Sequence, residues 1–481
     1  MRTANRQIEI SRPNAGRPLP TAARGIPSAR SHREEGRALR AACPRSTHAQ
    51  LGRLPANRHA LAMLKASNED RVASLIPLRH SRMLESPFAF FRGSAIVQAN
   101  DLASTPISGL RVQACGDCHL MNFGGFATPE RELIFDINDF DETFPAPWEW
   151  DVKRLCVSLV LAARWRGFNK ANVHECARAG ARRYREMTNT YADMATIDVW
   201  SSHISYADIR QAVEGDRQLR RLLDADIKRA QRSTSEHVYG KITMEVAGET
   251  RITDQPPLLF HPQFDLLTAS REFFDAYAQT LREDHRSLLQ RYRLVDAALK
   301  VVGVGSVGTR CLVVLFVGEQ HEPFFLQVKE ARRSVLEHHA GQPPSPWRNH
   351  GERVVAGQHM MQAASDIFLG WSRGPNRRDF YVRQLRDMKV SFELEQLDAR
   401  GLTLYGQLCG AALARAHAKA GQTARIAGYL GTSEAFDDAV CRYSLAYADQ
   451  VERDYAAFQA AVRRGEVETE TTGSIIETMI T

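Results

Sequence analysis

The sequence has little that would tie the chain to a membrane, to the secretory route or to nucleic acid. No run approaches the ~18 continuous apolar residues of a membrane span; even Leu155 to Trp165 is short and flanked by charge. Eight cysteines (Cys43, Cys115, Cys118, Cys156, Cys176, Cys311, Cys409 and Cys441) are scattered through apolar segments. They lack the dense, even spacing of a disulfide scaffold, which fits a reducing cytoplasm. The net charge of +7 is concentrated at one end: residues 1–60 hold 12 Arg, no Lys, 3 Glu and no Asp, and the rest carries 51 basic and 53 acidic side chains. With that remainder near neutrality, a nucleic-acid partner loses its main support. Residues 1–55, rich in Arg, Ser, Pro and Ala, read as a disordered basic leader rather than a secretory signal.

What is present is ordinary globular material. At 481 residues, 43% hydrophobic and 25% charged, the chain can bury a large core divided into two or three lobes. Residues 56–110 read as a helical adaptor ending in Phe88, Phe90 and Phe91 beside Arg92. From 111 the pattern becomes short apolar runs broken by Gly, Asn and Asp, then helical spacing to about 294. Residues 295–395 turn to β-branched runs, Lys300-Val-Val, Cys311 to Val317 and Phe324 to Val328, which predict three antiparallel strands. A helix over 353–368, a strand over 380–385 and a helix over 402–420 follow, and residues 396–481 complete the helical part.

Two constellations carry chemistry. In Cys115-Gly-Asp-Cys-His-Leu-Met-Asn122, an Asp and an Asn stand five apart on a loop, and the acid-rich hairpin Phe135-Asp-Ile-Asn-Asp-Phe-Asp141 follows. Phosphoryl transfer uses such a set: one carboxylate to accept a hydroxyl proton, then an amide oxygen and a second carboxylate to hold Mg²⁺ on a nucleotide. Asp117 is then the base and Asn122 a metal ligand. The metal carboxylate is Asp139, which opens Asp-Phe-Asp, or Asp136, which sits nearer the usual spacing. The same stretch also spells Cys-x-x-Cys-His, a literal match to c-type haem attachment or a redox pair. Haem attachment requires export, for which no signal is visible, and it gives the acidic hairpin no use.

The second constellation is Gly303-Val-Gly305-Ser306-Val-Gly308, followed at once by a β-branched run. A dinucleotide-binding fingerprint must open a helix, so this turn reads instead as a hairpin lid over phosphates. Lys329, ending the next strand, would grip the phosphates, with Glu352, or else Glu330 or Glu337, as its orienting acid. Arg383, Arg386, Asp387 and Lys389 form a charge run that binds phosphate or simply faces solvent.

Residues from about 75 to 460 resemble the uncharacterised bacterial family called domain of unknown function 2252. The matching pieces are Phe91-Arg-Gly93, Gly116-Asp-Cys-His119, Asn138 to Thr143, Trp148 to Leu155, Gln327-Val-Lys-Glu-Ala331, Arg383 to Lys389 and Leu413-Ala-Arg-Ala-His417. Individual pieces resemble aminoglycoside phosphotransferases, whose His-Gly-Asp-x-His-x-x-Asn is similar to Cys115–Asn122 with Cys in place of the first His. In those enzymes the glycine loop, the Lys and the Leu-Ala-x-Leu-His helix precede the catalytic loop, whereas here the loop comes first. The resemblance thus implies an α+β, two-lobe protein-kinase-like fold in circularly permuted order. It implies ATP and Mg²⁺ as cofactors, held by Gly303, Gly305, Ser306, Gly308, Lys329, Asn122 and Asp139 or Asp136, and a hydroxyl-bearing acceptor at Asp117. A nucleotide-binding regulator without transfer, and nucleotidyl transfer from the same site, are the competing expectations.

Overall fold

The computed structural model describes residues 27–470 except 53, 55–57, 233, 234, 247, 248, 257, 262–265, 302, 304, 306, 342–345, 386–389 and 391. Ser306, Arg386, Asp387 and Lys389 therefore lie outside the described residues. The fold is mixed α+β. The described residues open with five α-helices, α1 (Ala29–Ala38), α2 (Ala60–Ala66), α3 (Ile76–Met83), α4 (Pro87–Gly93) and α5 (Ala95–Leu102). Four short strands follow: β1 (Arg111–Ala114), β2 (Phe123–Ala127), β3 (Leu133–Ile137) and β4 (Phe144–Pro147). Next come α6 (Trp148–Trp165), α7 (Lys170–Asp193), α8 (Thr196–Ser201), β5 (Ile204–Ser205), α9 (Tyr206–Ala212) and α10 (Arg217–Arg232). A middle stretch holds α11 (Ser235–Ile242), β6 (Thr243–Val246), β7 (Glu249–Ile252), β8 (Leu259–Phe260), α12 (Leu266–Ala278) and α13 (Glu283–Leu289). Then run β9 (Arg293–Lys300), β10 (Cys311–Val317), β11 (Pro323–Glu330), α14 (His350–Met361), β12 (Gly370–Arg373) and β13 (Asp379–Gln384). Helices α15 (Ala399–Lys419), α16 (Thr423–Leu430) and α17 (Ala435–Arg463) close the chain.

Among the described residues the β-rich lobe is one six-stranded antiparallel sheet in the order β12-β13-β11-β10-β9-β8. Two of its central strands, β10 and β11, are the expected runs Cys311 to Val317 and Phe324 to Val328, whose side chains fit a pleated surface buried on both faces. The expected strand at Lys300-Val-Val is corrected, because β9 lies before it and ends at Lys300. The glycine turn joins β9 to β10, so the turn enters a strand as its sequence predicts. Lys329 pairs in register with Cys311 on one side and Tyr381 on the other.

The helical lobe is built around α6, buried almost from end to end, against which α7 and α17 pack. From Leu155 to Ala163 it is apolar on almost every side, as a helix inside a core is. The charged residues of its first two turns, Glu149, Asp151, Lys153 and Arg154, are buried as well. Among the described residues no helix is long and apolar enough to cross a membrane. Helix α14 stops at Met361, short of the 353–368 expected, because tertiary bonds replace helical ones. The Met361 carbonyl accepts from Arg415 Nη2 (2.5 Å), and the Ala363 N–H goes to Asp136 Oδ2 (2.7 Å).

The expected disordered leader is corrected over residues 29–49. Helix α1 docks on α16, with Gly36 and Gly428 at the contact, where an added Cβ would meet Arg425 O at 1.9 Å and Arg33 O at 2.1 Å. The arginines have a local purpose. Arg40 donates to the carbonyls of Gly428 (2.7 Å) and Tyr429 (2.8 Å), and Arg45 to that of Leu430. These are the carbonyls a helix C-terminus leaves without partners, and cations are favoured there. Gly36→Ala is expected to lower stability by about 1–3 kcal/mol, read as a fall in Tm; an unchanged Tm would contradict this docking.

Candidate functional site

The Cys115–Asn122 loop leaves β1 and is held by its own backbone. Asp151, in the first turn of α6, accepts the N–H groups of Cys115 (2.6 Å) and Gly116 (3.0 Å), and its other partner is His417 Nε2 of α15 (3.1 Å). Gly116 has φ +89, and a Cβ there would meet Glu142 O at 2.1 Å, so the turn needs glycine. This scaffold explains how Cys115 stands where the phosphotransferase motif has His: the loop is fixed through N–H groups, and the buried thiol points to Asp139 O (3.5 Å). All eight cysteines are free and buried.

Asp117 faces the cleft between the lobes. Its Oδ1 accepts from Arg154 Nε at 2.5 Å. Arg154 also donates to Gln98 Oε1 (2.8 Å) and Phe91 O (3.1 Å) and lies 4.1 Å over the Phe91 ring. Burial pushes the Asp117 carboxyl above its ordinary value, opposed by Arg154 and Arg92. His119 lies 3.8 Å from Asp117 Oδ2, and burial, then the charges of Arg92 and Arg154, keep its ring neutral. Asn122 Nδ2 donates to Asp117 O (2.6 Å), so its oxygen, the end able to ligate a cation, is the opposite one.

The two candidate metal carboxylates separate. Asp136, inside β3, is fully buried and accepts from Arg415 Nη2 (2.8 Å) and from the N–H groups of Ala363 (2.7 Å) and Ile137 (2.9 Å). It is absent from the cleft lining, which corrects it as a metal candidate: inside the strand its side chain faces α15, and its acceptor capacity is spent. Asp139 lies past the end of the strand and lines the cleft.

Lys329 is 3% exposed and meets Asp141 Oδ2 at 2.8 Å and Asp139 Oδ1 at 3.7 Å. Tyr381 donates its hydroxyl to Asp141 Oδ1 (2.6 Å), Arg353 of α14 donates to Asp141 O (2.8 Å), and Arg383 of β13 to Asn138 O (3.1 Å). Burial alone would raise Asp141, but Lys329 and Tyr381 outweigh it and hold the carboxyl down at about 2. Burial and neighbouring Asp141 push Asp139 up. The expected orienting acids are corrected: Glu330 pairs with Arg378 (2.8 Å) and Arg310 (3.2 Å), Glu337 with Arg333 (3.2 Å), and Glu352 lies in the capped first turn of α14. The side chain that α14 turns to this loop is Arg353. Asp141 was missed from the sequence; its signal was the alternation Asp139-Phe-Asp141 about Phe140, whose ring is buried in the core.

Gly303 and Gly305 line the cleft with Lys329, and Gly308 (φ +84) closes the turn. The cleft encloses about 920 Å³. One part of its wall is apolar, where Phe324 lies 5.0 Å from Tyr292 and 4.5 Å from Phe368, ring to ring. The other part is charged, holding Asp117, Asn122, Asp139 and Lys329. Among the described residues no group of three or more His, Cys, Asp or Glu is placed to hold a metal ion.

Glu142, beside this site, accepts the Val335 N–H (2.7 Å), and burial raises its carboxyl from 4.5 to about 7. Its protonated form therefore suits the fold: the stability it contributes is complete below the unfolded value of 4.5 and is lost as pH rises through about 7. Glu142→Gln, which cannot ionise, is expected to gain on wild type by about 1–3 kcal/mol between about pH 5 and pH 8 in urea unfolding. A difference independent of pH would contradict this environment.

No curated protein and no solved structure matches the chain. One family model matches residues 71–461, a span that takes in most of the adaptor, both loops, the six-stranded sheet and most of α17. The chain therefore belongs to the family described as uncharacterized protein conserved in bacteria (DUF2252).

Proposed function

We propose that the cleft binds Mg-ATP and that the protein is a phosphotransferase, moving a phosphoryl group to a hydroxyl acceptor on a kinase-like fold with its halves in permuted order. The observation that carries this reading is the meeting of Lys329 with Asp139 and Asp141 in the cleft that also holds Asp117 and Asn122. Lys329 and Asp141 are 188 residues apart in sequence. The order of parts from β9 to α15 adds support: glycine turn, lysine strand, helix, two strands, then the helix carrying Leu413-Ala-Arg-Ala-His417.

The donors fit the metal. Mg²⁺ prefers hard oxygen ligands and uses one or two carboxylates with substrate phosphates and water, so Asp139 and the Asn122 amide oxygen are a sufficient protein share. When bound, Mg²⁺ would neutralise charge on the phosphates. Gly303 and Gly305 let backbone N–H groups approach the phosphates, and Lys329 gives them a fixed cation. Asp117 takes the hydroxyl proton as the acceptor oxygen bonds to the terminal phosphorus and the bond to the leaving diphosphate breaks.

One observation favours a second reading, a nucleotide-binding regulator. Arg154 engages Asp117 at 2.5 Å, so the carboxylate must share its charge with that cation while meeting an acceptor. A screen of hydroxyl acceptors with ATP labelled at the α or the γ position separates the readings. Transfer of γ label, reduced roughly 10²- to 10⁴-fold in Asp117→Asn, is the expected result. Transfer of α label would mean nucleotidyl transfer, and saturable binding without transfer would favour the regulator.

A further inference from the structure

Among the described residues ten cationic side chains and six acidic ones line the cleft, and the surplus is local. Arg71, Arg79 and Arg92 come from the adaptor, and Arg332 from the loop after β11. Among the described residues, three of these guanidinium groups hydrogen-bond only to neutral oxygens. Arg71 donates to the carbonyls of Ser67 (3.0 Å), Gly305 (3.0 Å) and Val307. Arg79 donates to Asn68 Oδ1 (2.5 Å) and Gly93 O (2.6 Å), and Arg332 to the carbonyls of Ser67 (3.2 Å) and Glu69 (2.5 Å). Arg92 has a buried Nε without a hydrogen-bond partner among the described residues. No carboxylate of the described residues forms an ion pair with any of the four. Burial and then the charge of Arg332 push Arg71 down to about 10, against the pull of Glu142, Glu330 and Asp141.

Like charges gathered in a partly buried wall without an ion-pair partner are costly, and the cost falls when an anion enters. Guanidinium groups suit phosphate and carboxylate because their N–H groups match two oxygens at once. The wall also has a position. Arg92 lies on α4 next to Phe91, whose carbonyl holds Arg154 and through it Asp117. An added Cβ on Gly305 would lie 3.6 Å from Arg92 O, so α4 stands between the glycine turn and the base. In the phosphotransferase reading the nucleotide phosphates fall to Lys329 and the glycine turn, which leaves the arginines for another anion.

Resting on the phosphotransferase reading, we infer that Arg92, with Arg79 and Arg332, binds an anionic group on the acceptor, so the substrate is a small hydroxyl compound already bearing a phosphate or carboxylate. The adaptor is then the acceptor-selecting element of the enzyme.

The test titrates full-length protein, loaded with Mg²⁺ and a non-hydrolysable ATP analogue, with glycerol 3-phosphate, glycerate and glycerol by calorimetry. One or both anions should bind and glycerol should not, and the stronger anion names the group. Arg92→Gln should weaken the anion about tenfold or more while leaving affinity for the analogue unchanged, which also shows that the variant is folded. Absence of binding by either anion, or equal anion binding in Arg92→Gln, overturns the inference. If the analogue itself does not bind, the phosphotransferase reading fails separately. The anion titration on the unloaded protein, wild type against Arg92→Gln, then decides the arginine wall by the same two outcomes.

Discussion

The turn Asp139-Phe140-Asp141 is the point on which the two lobes meet. It belongs to the β3–β4 connection of the helical lobe, yet Lys329, Tyr381, Arg353 and Arg383, all from the β-rich lobe, hold it. Phe140 anchors the turn in the core, so the flanking carboxylates face the cleft. A lysine 3% exposed is costly without a partner, and the neighbouring carboxylates relieve that cost. The arrangement couples fold to site: the same ion pair closes one lobe on the other and fixes the cation and carboxylates that a phosphate-bearing ligand would meet.

Around this turn the protein spends its buried charges on position. Asp151 fixes two N–H groups of the Asp117 loop, Asp136 ties β3 to α15 through Arg415, and Arg154 joins Asp117 to α4. Each is a charged group paired inside the core, and breaking one partner of such a pair typically costs about 3–5 kcal/mol. The result is a preorganised loop: Asp117 and Asn122 are placed by bonds that no ligand has to supply.

Much of this was legible in the sequence. The runs Cys311 to Val317 and Phe324 to Val328 marked β10 and β11, and the glycine turn enters a strand rather than a helix, as its sequence predicted. What was not legible depends on facing and on distant partners. Asp136 and Asp139 differ by whether β3 has ended, a matter of one or two residues that decides between Arg415 and the cleft. The acid beside Lys329 was sought on α14, but Arg353 occupies that direction and the acids come from a turn about 190 residues earlier. The leader read as disordered because the partners of its arginines, the carbonyls at the end of α16, lie almost 390 residues away. The arginine wall is dispersed over Arg71, Arg79, Arg92 and Arg332, and no local pattern reveals it.

The central claim is that Lys329 and Asp139 serve one Mg-nucleotide site. Its most direct test is calorimetry of ATP with and without Mg²⁺ on wild type, Lys329→Ala and Asp139→Ala. The account predicts saturable binding by wild type that requires Mg²⁺ and is lost in both variants. Failure of wild type to bind, or binding that survives both substitutions, would contradict it.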